Sequence, residues 1–224
     1  MAKEFSKAGR QITIAVKETG IGDPDLNVKL KRAIQNAKSV QMPKDRIEAA
    51  IKKALGNDTA DYKEMVYEGM APHGIAIVVE TATDNYNRTA GNVRAVFTKK
   101  NGSLGTQGMH DFLFDRKGVF LITNDKVADL EELELQLIDF GLEEIALSEE
   151  EGEEKLYRIV VDFNDFGTMQ DGLDQLNFET EKTRLERIPK HTKELNEDQL
   201  DEVLAIIDLL EEDDDVQNVF HNLA

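Results

Sequence analysis

The chain has 224 residues, 40% of them hydrophobic, and no cysteine, which excludes a disulfide framework and any thiolate metal site and fits a reducing compartment. No apolar run approaches the ~20 residues of a membrane span, and the opening Met-Ala-Lys-Glu-Phe-Ser lacks a signal-peptide pattern, so a soluble cytoplasmic protein of more than one domain is expected. The net charge of −18 is unevenly spread: residues 1–63 hold 13 Lys/Arg against 8 Asp/Glu, residues 64–122 hold 6 of each, and residues 123–224 hold 8 against 31. Such asymmetry suggests that a polyanion meets the basic head while the acidic rear faces away; for the acidic half alone, a solubilising surface is the plainer account.

In chain order, three short amphipathic helices come first. Residues 3–18 place Phe5, Ala8, Gly9, Ile12, Ala15 and Val16 on one face, and Lys3, Lys7, Arg10 and Lys17 on another. A second helix at about 25–40 buries Leu26, Leu30, Ile34 and Ala37 and shows Lys29, Lys31, Arg32 and Lys38 to solvent. A third at about 43–55 opens on Pro43, buries Ile47, Ala50, Ile51 and Leu55, and exposes Lys44, Arg46, Lys52 and Lys53. Gly56 to Asp61 reads as a linker. Strands follow at Met65–Glu68 and at Gly74–Thr81, the latter an apolar, β-branched run of buried type. Asp84-Asn85-Tyr86-Asn87-Arg88-Thr89 supplies capping side chains for a helix that carries Val93, Val96 and Phe97 on one face, with Asn85 and Asn87 read as cap residues. A loop punctuated by Gly102, Gly105 and Gly108 comes next, then two short strands, Phe112–Phe114 and Val119–Ile122, with a turn at Arg116-Lys117-Gly118.

The acidic part continues α-β-β-α-β: a helix at 127–140, strands at 145–147 and 156–163, a helix at 167–176 and a strand at 179–188. A last helix at 197–211 and strand at 216–221 have no local partner, whereas the central stretch lacks one helix and one strand. The expected architecture is therefore α+β: a small N-terminal helical bundle (1–63), a central α+β domain formed by 64–122 plus 192–224, and an inserted acidic α+β domain (123–191), the two α+β domains with ferredoxin-like layouts.

No constellation argues for catalysis. His73, His110, His191 and His221 lack metal-ligand spacing, the glycines at 102, 105 and 108 do not match a dinucleotide fingerprint, and neither a Walker loop nor a nucleophile elbow is present. Asp213-Asp214-Asp215 reads as a solvated charge run, because three consecutive carboxylates do not converge on one point. The sequons at Asn57, Asn87 and Asn101 carry no meaning in the cytoplasm. No cofactor, metal or membrane is expected.

Several motifs nevertheless resemble one family. Asp23-Pro24-Asp25, Leu30-x-x-Ala33-Ile34-x-x-Ala37-Lys38 and Met42-Pro43-Lys44-Asp45-x-Ile47-Glu48-x-Ala50-Ile51-Lys52-Lys53 are similar to the YebC-type family, which includes the mitochondrial translational activators of cytochrome oxidase. So are Tyr67-Glu68-Gly69-x-x-Pro72-x-Gly74, Thr83-Asp84-Asn85-x-Asn87-Arg88-Thr89, Gly102-Ser103-Leu104-Gly105-Thr106-x-Gly108, Glu186-Arg187-Ile188-Pro189 and Asp213-Asp214-Asp215-Val216-Gln217-Asn218-Val219. The resemblance spans nearly the whole chain. It implies three domains and a non-enzymatic role, either as a probable DNA-binding transcriptional regulator or in translation on the ribosome, aiding synthesis through proline-rich stretches. The family usually carries a basic segment with a Ser-Lys-Trp motif ahead of the first helix; this sequence begins almost inside that helix and has no tryptophan, so a nucleic-acid contact made by that arm is expected to be shortened or lost.

The resulting expectation is a nucleic-acid-binding regulator of gene expression with DNA or ribosomal RNA, and through it the ribosome, as partner. The candidate phosphate contacts are Lys7, Arg10, Lys29, Lys31, Arg32, Lys38, Lys44, Arg46, Lys52, Lys53, Arg88, Lys99 and Lys100. Ser103, Gly105, Thr106 and Gln107 are a candidate loop contact beside the start of the helix at Asn87-Arg88-Thr89, whose N–H groups favour phosphate. Against this stands the ordinary tendency of amphipathic helices to show lysine to solvent, and of glycine loops to serve turns. Few aromatics and no clear helix-turn-helix favour shape and backbone contact over base readout. The alternative is a protein-binding adaptor acting through the acidic half.

Overall fold

The computed structural model describes residues 2–56, 60–148 and 156–224, and they divide into two compact units, Met1–Asp115 with Pro189–Ala224 and Arg116–Ile188. The linker reading at Gly56–Asp61 falls partly outside the described residues.

The first unit opens with helices α1 (Ala2–Thr19), α2 (Val28–Ser39) and α3 (Lys44–Leu55). Ile12, Ala15, Val16, Leu30, Ala33, Ala37 and Ile47 form their common core, as the spacing of apolar residues requires. Asn27 ties the α1–α2 connector: its carbonyl oxygen caps α2 through the Leu30 N–H, and its amide donates to the carbonyls of Ala15 and Ile21. Two positions expected inside lie outside. Leu26 is 72% exposed and Leu55 53%: α2 starts only after Asn27, and Leu55, at the end of α3, is covered in part by the connector at Gly22.

The same unit continues as a sheet with helices packed on it. Strands β1 (Lys63–Ala71) and β2 (Ile75–Thr83) form a hairpin around a short turn at Pro72–Gly74. Helix α4 (Tyr86–Lys99) then leads to the two-residue strand β3 (Ser103–Leu104), which pairs with β1 at Gly69 and Met70. At the far end of the sequence, α7 (Glu197–Glu212) and β8 (Val216–His221) complete the layer, β8 lying antiparallel to β2 and giving the order β3-β1-β2-β8. Val93 and Phe97 of α4 and Val203, Ile206 and Leu210 of α7 bury Ile75, Ile77 and Val79 of β2. Gly69 is required at the β1–β3 contact, since a Cβ there would sit 2.7 Å from both the Phe97 ring and the Ser103 carbonyl.

The second unit is built from β4 (Phe114–Thr123), α5 (Leu130–Ile138), β5 (Leu142–Leu147), β6 (Leu156–Asp162), α6 (Phe166–Gln175) and β7 (Thr180–Pro189), with strand order β5-β6-β4-β7. That βαββαβ order is the ferredoxin-like one; the first unit is also a four-stranded antiparallel sheet covered by two helices, but its chain runs ββαβαβ and its strand order is β3-β1-β2-β8. Helices α5 and α6 cover Phe120, Ile122, Ile159 and Val161 through Leu133, Leu137, Met169 and Leu173. The turn expected at Arg116-Lys117-Gly118 is absent: β4 runs through it, paired with β6 from Lys117 to Thr123, and Phe112 belongs to the preceding loop. Glycine here serves close packing, because a Cβ on Gly118 would meet the Phe166 ring at 2.7 Å.

Ile206 is fully buried between α7 and β2. Ile206→Ala should cost about 2–5 kcal/mol in urea denaturation, and a fragment ending at residue 191 should lose hydrogen-exchange protection along β1 and β2. A 1–191 fragment that keeps full protection there would show that the C-terminal segment is dispensable to the first unit.

Candidate nucleic-acid interface

The strongest electrostatic feature of the first unit is Asp215, in the connection between α7 and β8. Its side chain is 5% exposed. One carboxylate oxygen accepts from Arg10 at 3.0 Å; the other accepts from Arg88 and Thr89 at 2.7 Å and from Thr83 at 3.1 Å. Burial by itself would push its pKa up, but the hydrogen bonds of Arg88, Thr89 and Thr83 and the charge of Arg88 hold it below the ordinary carboxylate value. The same bonds to Asp215 and Asp84 raise the Arg88 pKa. Arg10 also donates to the Ala82 carbonyl and lies over the Tyr62 ring. Around these groups lies a polar pocket of about 500 Å³ lined by Arg10, Tyr62, Asp84, Arg88, Asn92 and residues 212–215.

This arrangement redistributes the candidate cations. Lys3, Lys7 and Arg10 turn toward the 211–217 segment, with Lys7 donating to the Gln217 carbonyl at 3.1 Å, and burial lowers the Lys7 pKa. Lys29 pairs with Glu18 at 2.7 Å. Arg32 is half-buried, its pKa lowered by burial and pulled back by Glu64 and Glu18, and Lys31 is half-buried as well. Lys38, Lys44, Arg46, Lys52 and Lys53 remain exposed on α3 and the end of α2. Lys44 lies 3.7 Å from Glu48 one turn on, and Arg46 stacks over Phe5; neither contact removes the cation from solvent.

At the start of α4, the N–H groups of Arg88 and Thr89 are already engaged. Asn85 is its cap, accepting from the Arg88 N–H at 3.1 Å, and the Thr89 N–H goes to the Asn85 carbonyl. Asn87 is exposed and lies inside the helix. With Asp84 and Asp215 beside it, this terminus disfavours a phosphate.

The glycine loop is tied down by a second buried carboxylate. Glu68, 3% exposed on β1, accepts the N–H groups of Gly108 and His110 at 2.7 Å, while its own carbonyl accepts from the Gly105 N–H. The His110 ring donates from Nε2 to the Gly69 carbonyl at 2.8 Å. Gly102 lies against β1, where a Cβ would be 2.8 Å from the Met70 carbonyl, and Gly108 has φ +87°. Ser103, Thr106 and Gln107 are exposed. Lys99 and Lys100 close α4 just ahead of this loop, Lys99 exposed and Lys100 half-buried.

Two widely separated motifs, Thr83 to Thr89 and Asp213 to Val219, thus meet at one carboxylate. Family models match almost the entire chain: residues 1–57 match the TACO1/YebC protein N-terminal domain and residues 62–223 the TACO1/YebC second and third domain. The chain belongs to the TACO1/YebC family. Relatives described as probable transcriptional regulatory proteins are 50% identical in Flavobacterium johnsoniae and 49% in Porphyromonas gingivalis, over 100% of this chain and 91% and 90% of theirs. A crystal structure of a conserved hypothetical protein from Aquifex aeolicus superposes with a TM-score of 0.81 at 36% identity, covering 100% of this chain and 90% of that one.

Within this TACO1/YebC chain, residue-by-residue reading missed Asp215. Three consecutive carboxylates do splay, as expected, but the splaying sends Asp213 to Asn92 and Asp215 inward. Glu68 was missed too, since an isolated Glu on a strand gives no sign of a loop folding over it. Among the described residues, no group of three acidic or histidine side chains could hold a metal, and no helix is long and apolar enough to cross a membrane.

Asp215→Asn should destabilise the first unit by about 3 kcal/mol at neutral pH, because Arg10 is left largely buried beside a neutral group. The wild-type advantage is fully present above the unfolded aspartate pKa of about 3.9 and disappears as pH falls through the lower folded value. Urea denaturation of both proteins from pH 7 to pH 2.5 should therefore show the two curves converging on the acid side.

Proposed function

We propose that this member of a regulator family is a non-enzymatic nucleic-acid-binding protein that grips the phosphate backbone of DNA or structured ribosomal RNA with the outer face of its helical head. The observation that carries the reading is the set of exposed cations on one small helical body, Lys38, Lys44, Arg46, Lys52 and Lys53, set against an acidic remainder. Phosphate contacts of this kind supply sequence-independent affinity, and the acidic remainder orients the head toward a polyanion. Lys7, Arg10, Lys29 and Arg32 fall outside this surface, since each is engaged by carboxylates or carbonyls of its own unit or is desolvated. The likeness to both transcriptional regulators and translational activators fits a binding mode that reads backbone and shape, a mode that structured RNA on the ribosome satisfies as well as duplex DNA does.

Replacing Lys38, Lys44, Lys52 and Lys53 by glutamine removes four phosphate contacts at exposed positions. The slope of log K against log salt on duplex DNA should then become shallower by about 3–4, with thermal stability unchanged. An unchanged slope overturns the assignment of this face, and salt-insensitive binding of a protein partner would support the adaptor reading instead.

A further inference from the structure

The proposed phosphate grip makes no use of the loop between Gly105 and Leu113, yet this loop has a construction of its own. Phe112 on it is 70% exposed, although it stands only two residues before the buried Phe114. A lone exposed apolar side chain is ordinary; the support beneath this one is not. Both Glu68 carboxylate oxygens, buried inside β1, are used on the N–H groups of Gly108 and His110. The His110 ring is itself buried against the Gly69 carbonyl. Further along, the Leu113 N–H donates to the His110 carbonyl at 2.8 Å, and the Leu113 carbonyl accepts from the Lys190 N–H at 2.9 Å. The aromatic ring is therefore carried on a backbone held at both ends, so little ordering entropy remains to be lost when something stacks on it.

The chemistry of the loop surface narrows the ligand. From Asn101 to Leu113 there is no lysine or arginine. Besides the ring of Phe112, the exposed side chains include Thr106, Gln107 and Asp111: a hydroxyl, an amide and a carboxylate. Those groups bond to base edges, and the carboxylate repels phosphate. We propose that Phe112 is a stacking platform for an unpaired nucleobase, with Thr106, Gln107 and Asp111 on the same loop as its polar groups for a base edge, so that this loop recognises single-stranded or looped-out positions while the head holds backbone. The inference rests on the nucleic-acid reading of the head and adds to it a preference for unpaired bases.

The test compares two probes, a 20-nucleotide single-stranded RNA of mixed sequence and a 20-base-pair RNA duplex, with the wild-type protein, Phe112→Ala, Phe112→Tyr and the four-glutamine head variant. Stacking of a base on an aromatic side chain predicts that Phe112→Ala loses about 5- to 100-fold in affinity for the single strand and nothing for the duplex, and that Phe112→Tyr restores single-strand binding. The melting temperatures should agree, since the side chain is exposed. Equal binding of the single strand by wild type and Phe112→Ala overturns the inference and leaves the head assignment standing. Equal losses on both probes overturn it too, because a general apolar contact would then explain the ring. If the wild-type protein binds neither probe, the stacking inference fails and a protein pocket becomes the partner of Phe112, while the head reading is decided by its own salt titration on duplex DNA.

Discussion

Asp215 lies buried with a negative charge, and four parts of the first unit converge on it: α1 through Arg10, the end of β2 through Thr83, the first turn of α4 through Arg88 and Thr89, and the α7–β8 connection that carries it. An isolated carboxylate at that depth would neutralise itself. Two guanidinium groups and two hydroxyls keep it ionised, and in doing so they bring together segments about 205 residues apart in sequence. Removing one partner leaves the others uncompensated, so the interaction acts as a unit, and the attachment of the helical head to the sheet depends on it.

That dependence shapes the surface available for function. Lys3, Lys7 and Arg10 are consumed in holding the 211–217 segment. The cations left facing water cluster on α3 and the end of α2. Charge on the head is thus divided by helix: the cations of α1 serve assembly, and those of α3 stay on the surface.

Glu68 repeats the device on a smaller scale. Its carboxylate meets two main-chain N–H groups in place of guanidinium groups, and the element it organises is an exposed loop rather than a domain contact. In both places a buried acid on or beside the β1–β2 hairpin sets the position of a segment that is distant in sequence.

Periodicity alone was enough for the helices and for most strands, because the faces of α1, α3, α4 and α7 and the apolar run of β2 are local patterns that a core of any shape would select. The unpartnered last helix and strand likewise implied a distant sheet, since an amphipathic helix and an apolar strand need something to cover them. Where local patterns misled, neighbours decided. Leu26 and Leu55 carry the right spacing, but Leu26 precedes the first turn of α2 and Leu55, at the end of α3, is covered only in part; Arg116-Lys117-Gly118 has turn composition but is held extended by β6. The candidate cations were all legible as residues, and the division between bound and exposed was not, because Lys7 and Arg10 look like Lys44 and Lys52 until the acidic segment near residue 215 is folded against them. Local sequence sets secondary structure and charge through short-range sterics and hydropathy, whereas the partner of a charge is chosen by long-range contacts, which exist only once the chain has closed.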